Sequence, residues 1–369
     1  MPGTTTSNEQ LRTGHQGGVD SGYVNPLYVE EYSGAVEHRI KKKSFMKQFV
    51  NIKNITGTDT LSNDQIGSTS LQKVTRGKRP TDSGTTFDSV SIKVDTMVLA
   101  RTNQHKMDDF FGRYSVRAEV GKEHGTTIGE FVDEAFLSQA IKAAQVSVLP
   151  HGGTAGADEV GGWAEPFKMG GGAVGTVPTV VSRSAPEGFN GGSAVILELA
   201  GDEDVAIDFE LAVMRLTQML EEKDIDIEDG VLLVRPAQYN TLLQNDKLIS
   251  TDFSDGNGNY SKGQVLKSNN LRLMKTNRFP KQADVGQTHF LSNPGNGNAY
   301  DVTQADANAV AVLMLPKALL AGETIPLTSD VYYVKQELQW FIDSYLMFAV
   351  TPGRLEMAGA IFKHAPTVA

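Results

Sequence analysis

The sequence contains no cysteine among its 369 residues. Disulfide bonds, thiolate metal sites and a thiol nucleophile are therefore excluded, and stability must come from packing. Long apolar runs are missing as well, because none approaches the ~18 residues that a membrane-spanning helix requires. Residues 1–22 are polar and glycine-rich and lack the apolar segment of a secretion signal. We expect a soluble protein that is not exported and does not contact a membrane.

Positive charge is scarce. The chain carries 34 Lys and Arg residues against 44 Asp and Glu residues, a formal net charge of −10. Nucleic-acid affinity depends largely on Lys and Arg side chains that replace counterions, so this balance argues against a protein whose main task is to bind phosphates. The basic residues are densest in two segments of the first quarter of the chain, residues 38–47 and 76–80.

Motifs for catalysis are missing too. The seven histidines form no HxH, HxxxH or HExxH pair, and no G-x-S-x-G sequence occurs. A G-x-G-x-x-G sequence is present at Gly170, Gly172 and Gly175, but a proline-containing segment follows it where a dinucleotide loop needs a helix. We therefore predict no catalytic residue, no cofactor, no metal site and no enzyme activity.

Two acidic stretches resemble metal sites only in composition. In the segment SDGNGNYSKGQVL, Tyr260 stands where a calcium loop needs glycine and Leu266 where it needs glutamate, which favours an Asn/Gly turn. A second acidic cluster ends in a turn, and we expect it to be a solvated surface. Its members are Asp224, Asp226, Glu228 and Asp229.

The N-terminal part of the chain has few apolar residues with which to build a core. Residues 1–22 are typical of a mobile tail. From Pro26, a favourable first-turn residue, apolar side chains at four-residue spacing form one thin stripe on an otherwise charged helix. These side chains are Tyr28, Tyr32, Val36 and Ile40.

A long polar excursion follows. Residues 50–90 are rich in Thr, Ser, Gly, Asn and Asp, and the segment is too long for an ordinary connection. Val90, Ile92 and Val94 then alternate with polar residues in the pattern of a half-buried strand. We expect the excursion to close as a β-ribbon.

Three glycines recur every four residues in an otherwise helical pattern. Gly121, Gly125 and Gly129 should each cost a helix roughly 1 kcal/mol relative to alanine. The apolar face that follows them nevertheless predicts one long helix over about residues 113–146. Two interpretations are open: the glycines form a smooth groove that another backbone approaches closely, or they mark a kink or interruption of the helix.

The rest of the chain alternates loop, helix and strand. A glycine-rich loop is expected over residues 149–192, and an amphipathic helix lies within residues 201–225. A buried strand at Val231–Val234 and a helix opened by Pro236 follow. The alternation of apolar and charged residues over 332–343 predicts one strand that is wet on one side.

The order of these segments resembles the major capsid proteins of tailed double-stranded DNA phages, with the Hong Kong 97-type fold, and especially those of short-tailed podophages. MVLARTNQHKMDDFFGRYSVRAEVGKEHGTTIGEFVDEAFLSQAI is similar to the family's passage from extended loop into spine helix. VLLVRPAQYNTLL with NLRLMKTNRFP is similar to its central strand, helix and strand, and AVLMLPKALL with residues 331–362 to its closing strands. The similarity covers most of residues 23–363 and lies in the ordered set of segments.

The resemblance implies an α+β fold with an N-terminal arm, an extended β-ribbon loop, a long spine helix, and peripheral and axial domains. The implied divisions are a flexible tail at 1–22, the arm at 23–48, the extended loop at 49–96, the peripheral domain with the spine helix and glycine-rich loop at 97–192, the axial domain at 193–325, and the return to the peripheral domain and C-terminus at 326–369.

The resemblance also implies a function and partners. Many copies would self-assemble through hexamers and pentamers into an icosahedral shell that encloses DNA without sequence-specific binding, in a virion assembled in the cytoplasm of a host bacterium. Further implied partners are a separate scaffolding protein, a portal protein and, in some members, a decoration protein; no cofactor is implied. The implied subunit contacts are Tyr28, Tyr32, Val36, Ile40, Arg76, Lys78, Arg79, Gly121, Gly125 and Gly129.

Several alternatives stay open at this level. The basic tip formed by Arg76, Lys78 and Arg79 either meets carboxylates of an adjoining subunit or is simply solvated. Residues 41–43, three lysines, face either packaged DNA or a neighbour. An encapsulin-type compartment shares the implied fold and would enclose protein cargo. An oligomeric nucleotide-binding enzyme that uses a glycine-rich loop at 151–176 is the rival from another class.

Overall fold

The computed structural model describes residues 44–66, 72–79, 87–106, 116–145, 167–169, 191–197, 205–244, 258–259, 264–265, 267–269 and 271–363. In chain order the strands are β1 (Ile52–Asn54), β2 (Thr60–Ile66), β3 (Phe87–Lys93), β4 (Met97–His105), β5 (Phe167–Met169), β6 (Ser193–Leu197), β7 (Val231–Val234), β8 (Gly258–Asn259), β9 (Gln264–Val265), β10 (Lys267–Ser268), β11 (Leu271–Lys275), β12 (Ala309–Met314), β13 (Leu319–Val334), β14 (Gln339–Pro352) and β15 (Ala358–Lys363). The helices are α1 (Met46–Phe49), α2 (Val116–Gln145), α3 (Val205–Glu221), α4 (Pro236–Leu242) and α5 (Gln304–Ala307).

A four-stranded sheet with the order β1-β13-β14-β4 forms one part of the molecule. β13 and β14 make a long antiparallel hairpin, and β4 pairs with β14 from Met97 to His105 without a bulge. Alternate residues of β14, among them Ile342, Leu346 and Phe348, are buried. This period of two follows from strand geometry, because successive side chains point to opposite faces of the sheet.

A seven-stranded mixed sheet with the order β10-β11-β7-β12-β15-β6-β5 forms the other part. Its central strands β7 and β12 are buried along their whole length. Leu233 and Val312 enter one apolar cluster, whereas Leu232 and Leu313 enter a second one on the opposite face. A strand that is covered on both faces has apolar residues at every position, which explains why β7 (VLLV) and β12 (AVAVLM) contain no polar residue.

The long helix α2 joins the two sheets into one core. Phe136 and Ile141 of α2 share an apolar cluster with Phe348 of the four-stranded sheet and with Val312 and Ala360 of the seven-stranded sheet. The amphipathic helix α3 covers the other face of the seven-stranded sheet, where Phe209 and Leu216 are fully buried. Among the helices of the described residues, none combines the length and apolar character needed to cross a membrane.

Most of the expected elements are confirmed. The long helix runs from Val116 to Gln145, and α3, β7 and α4 lie where their patterns place them. The ribbon is present as the antiparallel pair β2–β3, in which Val90 and Ile92 are buried and Ser91 and Lys93 are exposed. Residues 113–115 and 146, and most of the glycine-rich loop at 149–192, lie outside the described residues.

Two expectations about the C-terminal third are wrong. The segment 332–343 is not one strand, because it turns at residues 335–338 and returns as β14. Leu338 adopts a positive φ of 52° in this turn, and across a turn the period of two no longer holds. In addition, β15 pairs with β12 and β6 in the seven-stranded sheet rather than returning to the four-stranded one. The chain crosses between the sheets at residues 315–318, earlier than the boundary at 325.

One glycine allows the closest backbone approach in the core. A Cβ atom at Gly192, just before β6, would lie 2.6 Å from the Cα atom and 2.7 Å from the carbonyl oxygen of Ala144 in the last turn of α2. Such distances leave no room for any side chain, and the obstructing atoms belong to a backbone held by a buried helix. Gly192 therefore fixes how closely β6 can approach α2.

We predict that Gly192→Ala destabilises the unassembled subunit by about 2–3 kcal/mol, because overpacking against backbone cannot relax by a rotamer change. Gly322→Ala is the matched control, since its new Cβ would meet the mobile Cδ1 atom of Ile55 at 2.6 Å. It should cost less than about 1 kcal/mol. Denaturant unfolding of both variants measures the difference, and equal losses would contradict the prediction.

Candidate subunit-contact surfaces

The last residues of the arm predicted at 23–48 are held by a buried carboxylate. Asp133, in the middle of α2, accepts hydrogen bonds from Ser44 Oγ at 2.8 Å, from the backbone N–H of Phe45 at 3.3 Å and from that of Met46 at 3.2 Å. It thereby satisfies the free N–H groups at the start of α1, a task that a helix usually gives to its own N-cap residue. Asp133 is completely buried. These hydrogen bonds fix the start of α1 to the long helix α2.

The stripe predicted to contact other subunits, Tyr28, Tyr32, Val36 and Ile40, lies outside the described residues, as do the three lysines at 41–43 and the G-x-G-x-x-G sequence. Asp133 itself escaped the sequence analysis. The sequence does contain a sign of it, because Asp133 lies between Val132 and Ala135 on an apolar face of the helix. A carboxylate at such a buried position needs hydrogen-bond partners.

The β2–β3 ribbon rests on the rest of the molecule through its proximal half. Ile55, Val90 and Ile92 form a small apolar cluster with Leu320 of β13 and Ala349 of β14. Gln65 is also buried, and its Nε2 atom donates a hydrogen bond to the carbonyl oxygen of Gly353 at 3.3 Å. The next residue, Ile66, is exposed.

The distal end of the ribbon is apolar, basic and exposed. Ile66 and Phe87 are directly paired across the strands, and their exposed fractions are 63% and 73%. Val74 in the tip is 68% exposed. The tip, defined as residues 72–79, contains no carboxylate, and its cations have no ion pair within the described residues. These cations are Lys73, Arg76, Lys78 and Arg79.

The glycine face of α2 is buried within the single chain. Gly121, Gly125 and Gly129 are all inaccessible, so the groove expected to receive another subunit is not open in this structure. The same stretch of the helix meets the four-stranded sheet: His124 Nε2 lies 2.7 Å from Thr102 Oγ1, and Val120 packs against Ile342. The helix also continues unbroken through all three glycines, which argues against an interruption.

A second exposed surface lies at the free edge of the four-stranded sheet. β4 is an edge strand of nine residues, on which Met97 and Leu99 are 52% and 47% exposed. Beside them Arg101 forms a bidentate ion pair with Asp343, with nitrogen–oxygen distances of 2.8 and 2.7 Å. Long regular edges are templates for pairing with another chain unless a charge or a bulge blocks them.

A cavity of about 270 Å³ opens at the base of the ribbon. Ser91 and Asp95 line it from the ribbon, Asn296 and Tyr300 from the segment before α5, and Thr351 from β14. Tyr300 both donates to the carbonyl oxygen of Val350 at 2.7 Å and accepts from its N–H at 2.8 Å, and burial raises the pKa of its phenol. The hydroxyl is therefore fully engaged in holding the wall of this cavity.

Asp95 is the only carboxylate in the described wall of this cavity. Its carboxylate accepts hydrogen bonds from the Asn293 side chain at 3.0 and 3.1 Å and from Thr96 Oγ1 at 2.9 Å. All of these donors are neutral. Lys93, which also lines the cavity, is paired instead with Asp59, at 3.3 Å.

Other buried ionisable groups are engaged within the fold. Lys142 donates to the carbonyl oxygens of Ala299 at 2.5 Å and Asp301 at 2.6 Å, and burial lowers its pKa. Lys223 donates to the carbonyl oxygen of Gly191 at 2.9 Å and to Ser193 Oγ at 2.7 Å, and burial lowers its pKa to about 8. Within the described residues, no group of His, Asp and Glu side chains is placed to hold a metal ion.

The acidic cluster between α3 and β7 is solvated as predicted. Its carboxylates are all exposed, and Asp226 accepts a hydrogen bond from the N–H of Glu228 at 3.0 Å. The calcium-like segment is described only in part, where β8 and β9 pair as a short hairpin.

A ribbon on a four-stranded sheet, a long helix behind that sheet and a second mixed sheet together define the Hong Kong 97-type fold of phage capsid proteins. A chain of the mature capsid of bacteriophage PhiM1 is 21% identical with a TM-score of 0.68, and the match covers 96% of this chain and 92% of that one. The capsid chain of cyanophage P-SCSP1u is 15% identical with a TM-score of 0.67, covering 95% and 92%.

A chain from Mycobacterium phage Che8 is 10% identical with a TM-score of 0.52, covering 97% of this chain and 98% of that one. No family model matches the sequence, and no curated protein is similar to it at the sequence level. The three-dimensional matches thus establish the fold, over nearly the whole chain.

The anchor of the N-terminal segment should make stability depend on pH. Burial raises the pKa of Asp133 to about 6, against the opposing hydrogen bonds from Ser44, Met46 and Phe45. The folded state therefore takes up a proton as the pH falls through 6, whereas the unfolded chain does so only near 4. This group's contribution to stability rises as the pH falls from 6 to 4, by an amount on the order of 3 kcal/mol.

We expect Asp133→Asn to remove this pH dependence, because the amide keeps an acceptor for α1 but does not titrate. The free energy of unfolding of wild type minus variant should increase between neutral pH and pH 4–5. Denaturant unfolding over a pH series measures it, with Asp229→Asn on the exposed cluster as the control. A difference that stays flat with pH would show that the pKa of Asp133 is the same in the folded and the unfolded chain.

Proposed function

We propose that this chain is a structural major capsid protein, many copies of which self-assemble into an icosahedral shell around double-stranded DNA. The observation that carries the proposal is the fold, which is shared along nearly the full length of the chain with the capsid chains of PhiM1 and P-SCSP1u. The exposed distal ribbon supports it, because an apolar cross-strand pair with no covering in the single chain is an interaction surface.

The proposed work is mechanical rather than catalytic. The ribbon tip and the start of α1 lie in different parts of the subunit, so contacts made through them are heterologous, and heterologous contacts close into rings when the rotation permits. Hexamers and pentamers are the rings proposed here. Each contact can be weak, because a subunit held by several neighbours gains from effective concentration.

The partners of this proposal are chiefly other copies of the chain. The tip residues Arg76, Lys78 and Arg79 meet carboxylates of an adjoining subunit, and the stripe of the arm covers an apolar surface of a neighbour. A separate scaffolding protein, a portal protein and a decoration protein belong to the same proposal, as does assembly in the cytoplasm of a host bacterium. The net charge of −10 supports enclosure of DNA without tight binding to it.

Two rival functions differ in what the purified particle contains. Negative-stain microscopy of the expressed protein should show closed shells or capsomer rings. An encapsulin-type compartment would instead hold cargo protein, and an oligomeric enzyme would carry a bound nucleotide or metal detectable by mass spectrometry. Uniform small oligomers with a stoichiometric nucleotide would overturn the capsid proposal.

The arm gives the proposal a direct test. Deletion of residues 2–43 leaves Ser44 and its bonds to Asp133 in place, so the subunit should keep its fold and its thermal unfolding midpoint. It should not form closed shells, because the apolar stripe can no longer reach a neighbour. Deletion of residues 2–22 alone is the matched control and should still give shells. Normal shells from the longer deletion would contradict the role of the arm.

A further inference from the structure

We propose that the cavity at the base of the ribbon is a socket for a guanidinium group from the ribbon tip of a second copy, and that Asp95 is the carboxylate that receives it. The inference rests on the proposed function and makes it more specific, since it names both sides of one contact between subunits.

The size of the cavity fits a side chain. At about 270 Å³ it lies just below the ~300–1,000 Å³ range of small-molecule sites. One long side chain entering from outside is the occupant that this volume suits. The wall next to Asp95 consists of hydroxyl and amide groups, from Ser91, Thr96 and Asn296, which can accept or donate around a guanidinium.

Asp95 has capacity for a cation. A carboxylate offers about four acceptor positions, and the Asn293 and Thr96 donors account for three bonds. No Lys or Arg in the described residues forms an ion pair with it, whereas the neighbouring Asp59 is paired with Lys93. Among the lining residues Asp95 is the only carboxylate and Lys93 the only cation, and the ammonium of Lys93 is already paired with Asp59, which does not line the cavity.

The tip supplies the complementary group. Arg76 and Arg79 are exposed on a segment that carries four cations and no carboxylate, in a chain whose net charge is −10. Among the described residues neither arginine forms an ion pair with Asp95, so both sides of the proposed contact are available to another copy. Arginine suits this task better than lysine because its planar fork binds both oxygens of a carboxylate.

The positions of tip and socket give the contact its direction. Both belong to the same ribbon, and the paired strands from Thr60 to Ile66 alone separate them by about 20 Å, at ~3.4 Å per residue. A tip bound at the base of the next ribbon makes a head-to-tail contact, in which each copy uses a different surface from its neighbour. Repetition of such a contact generates a ring or an open helix.

Charge reversal tests the pairing. Arg76→Glu with Arg79→Glu in the tip, and separately Asp95→Arg in the socket, should each raise the protein concentration needed for assembly by about tenfold or more. A chain that carries all three changes should assemble at a lower concentration than either partial variant, because the opposite pair is restored, but not as readily as wild type, because the hydrogen bonds from Asn293 to residue 95 are lost. Lys317→Glu and Asp229→Arg, at exposed positions elsewhere, are the matched controls and should assemble as wild type does.

A disulfide cross-link between residues 79 and 96 of different copies tests the same contact without charge reversal, in case a charge variant folds poorly. The chain has no cysteine, so Arg79→Cys with Thr96→Cys introduces the only two thiols. Mild oxidation of the assembled protein should give a ladder of covalent multimers on a non-reducing gel. Arg79→Cys with Asn240→Cys, at an exposed site on α4, should give none.

The outcomes separate this inference from the function on which it rests. Wild-type shells that survive both charge reversals, or shells without the covalent ladder, would overturn the socket and leave the capsid proposal intact. Failure of the wild-type chain to form rings or shells under any condition would overturn both. Recovery in the combined variant together with the ladder would establish the contact.

Discussion

The structure depends on a constraint that applies to any two-stranded ribbon: it has no interior of its own. Such a ribbon is marginal in water unless one of its faces packs on something else. The β2–β3 ribbon meets this requirement where Val90 and Ile92 enter a cluster with β13 and β14 and where Gln65 is buried. The next cross-strand pair, Ile66 and Phe87, is exposed within the described part of the chain. This apolar pair is therefore the part of the ribbon that lacks packing among the described residues.

The start of α1 and the base of the ribbon are held by hydrogen bonds to buried or partly buried groups in addition to apolar packing. Asp133 holds the start of α1 through three hydrogen bonds, and Asp95 holds the base of the ribbon to Asn293 through two. Hydrogen bonds have a steep dependence on angle and distance, so these anchors fix direction as well as position. Apolar contacts alone would allow the arm and the ribbon to slide. In a protein that assembles into a lattice these directions have to be fixed, because a given angular error displaces the end of a long projecting element more than that of a short one.

The sequence predicts the elements better than their connections. The strand Val231–Val234 and the apolar face of α3 could be predicted, because buried positions are apolar and recur with the period of the strand or helix. The hairpin of β13 and β14 could not be predicted, because residues 335–338 contain neither glycine nor an Asn-Gly pair. Instead, Leu338 adopts the left-handed conformation that such turns need. The assignment of β15 to the seven-stranded sheet depends on pairing between distant segments, which a local pattern does not encode. Gly121, Gly125 and Gly129 show the same limit: the pattern indicates a close approach, but it does not say which backbone makes it, and the structure buries the glycines within the chain.

The distribution of charge explains how such a chain can avoid premature association. Without the four cations of the ribbon tip the chain has 30 Lys and Arg residues (34 − 4) against 44 Asp and Glu residues, so two copies repel at long range unless a tip faces a carboxylate. Salt screens this repulsion and the tip contact alike, over a Debye length of about 8–10 Å at physiological strength. The apolar pair behind the tip is not screened. A contact that begins with steering by the tip cations and ends with burial of Ile66 and Phe87 would therefore be selective for direction when it forms and resistant to salt once it is complete.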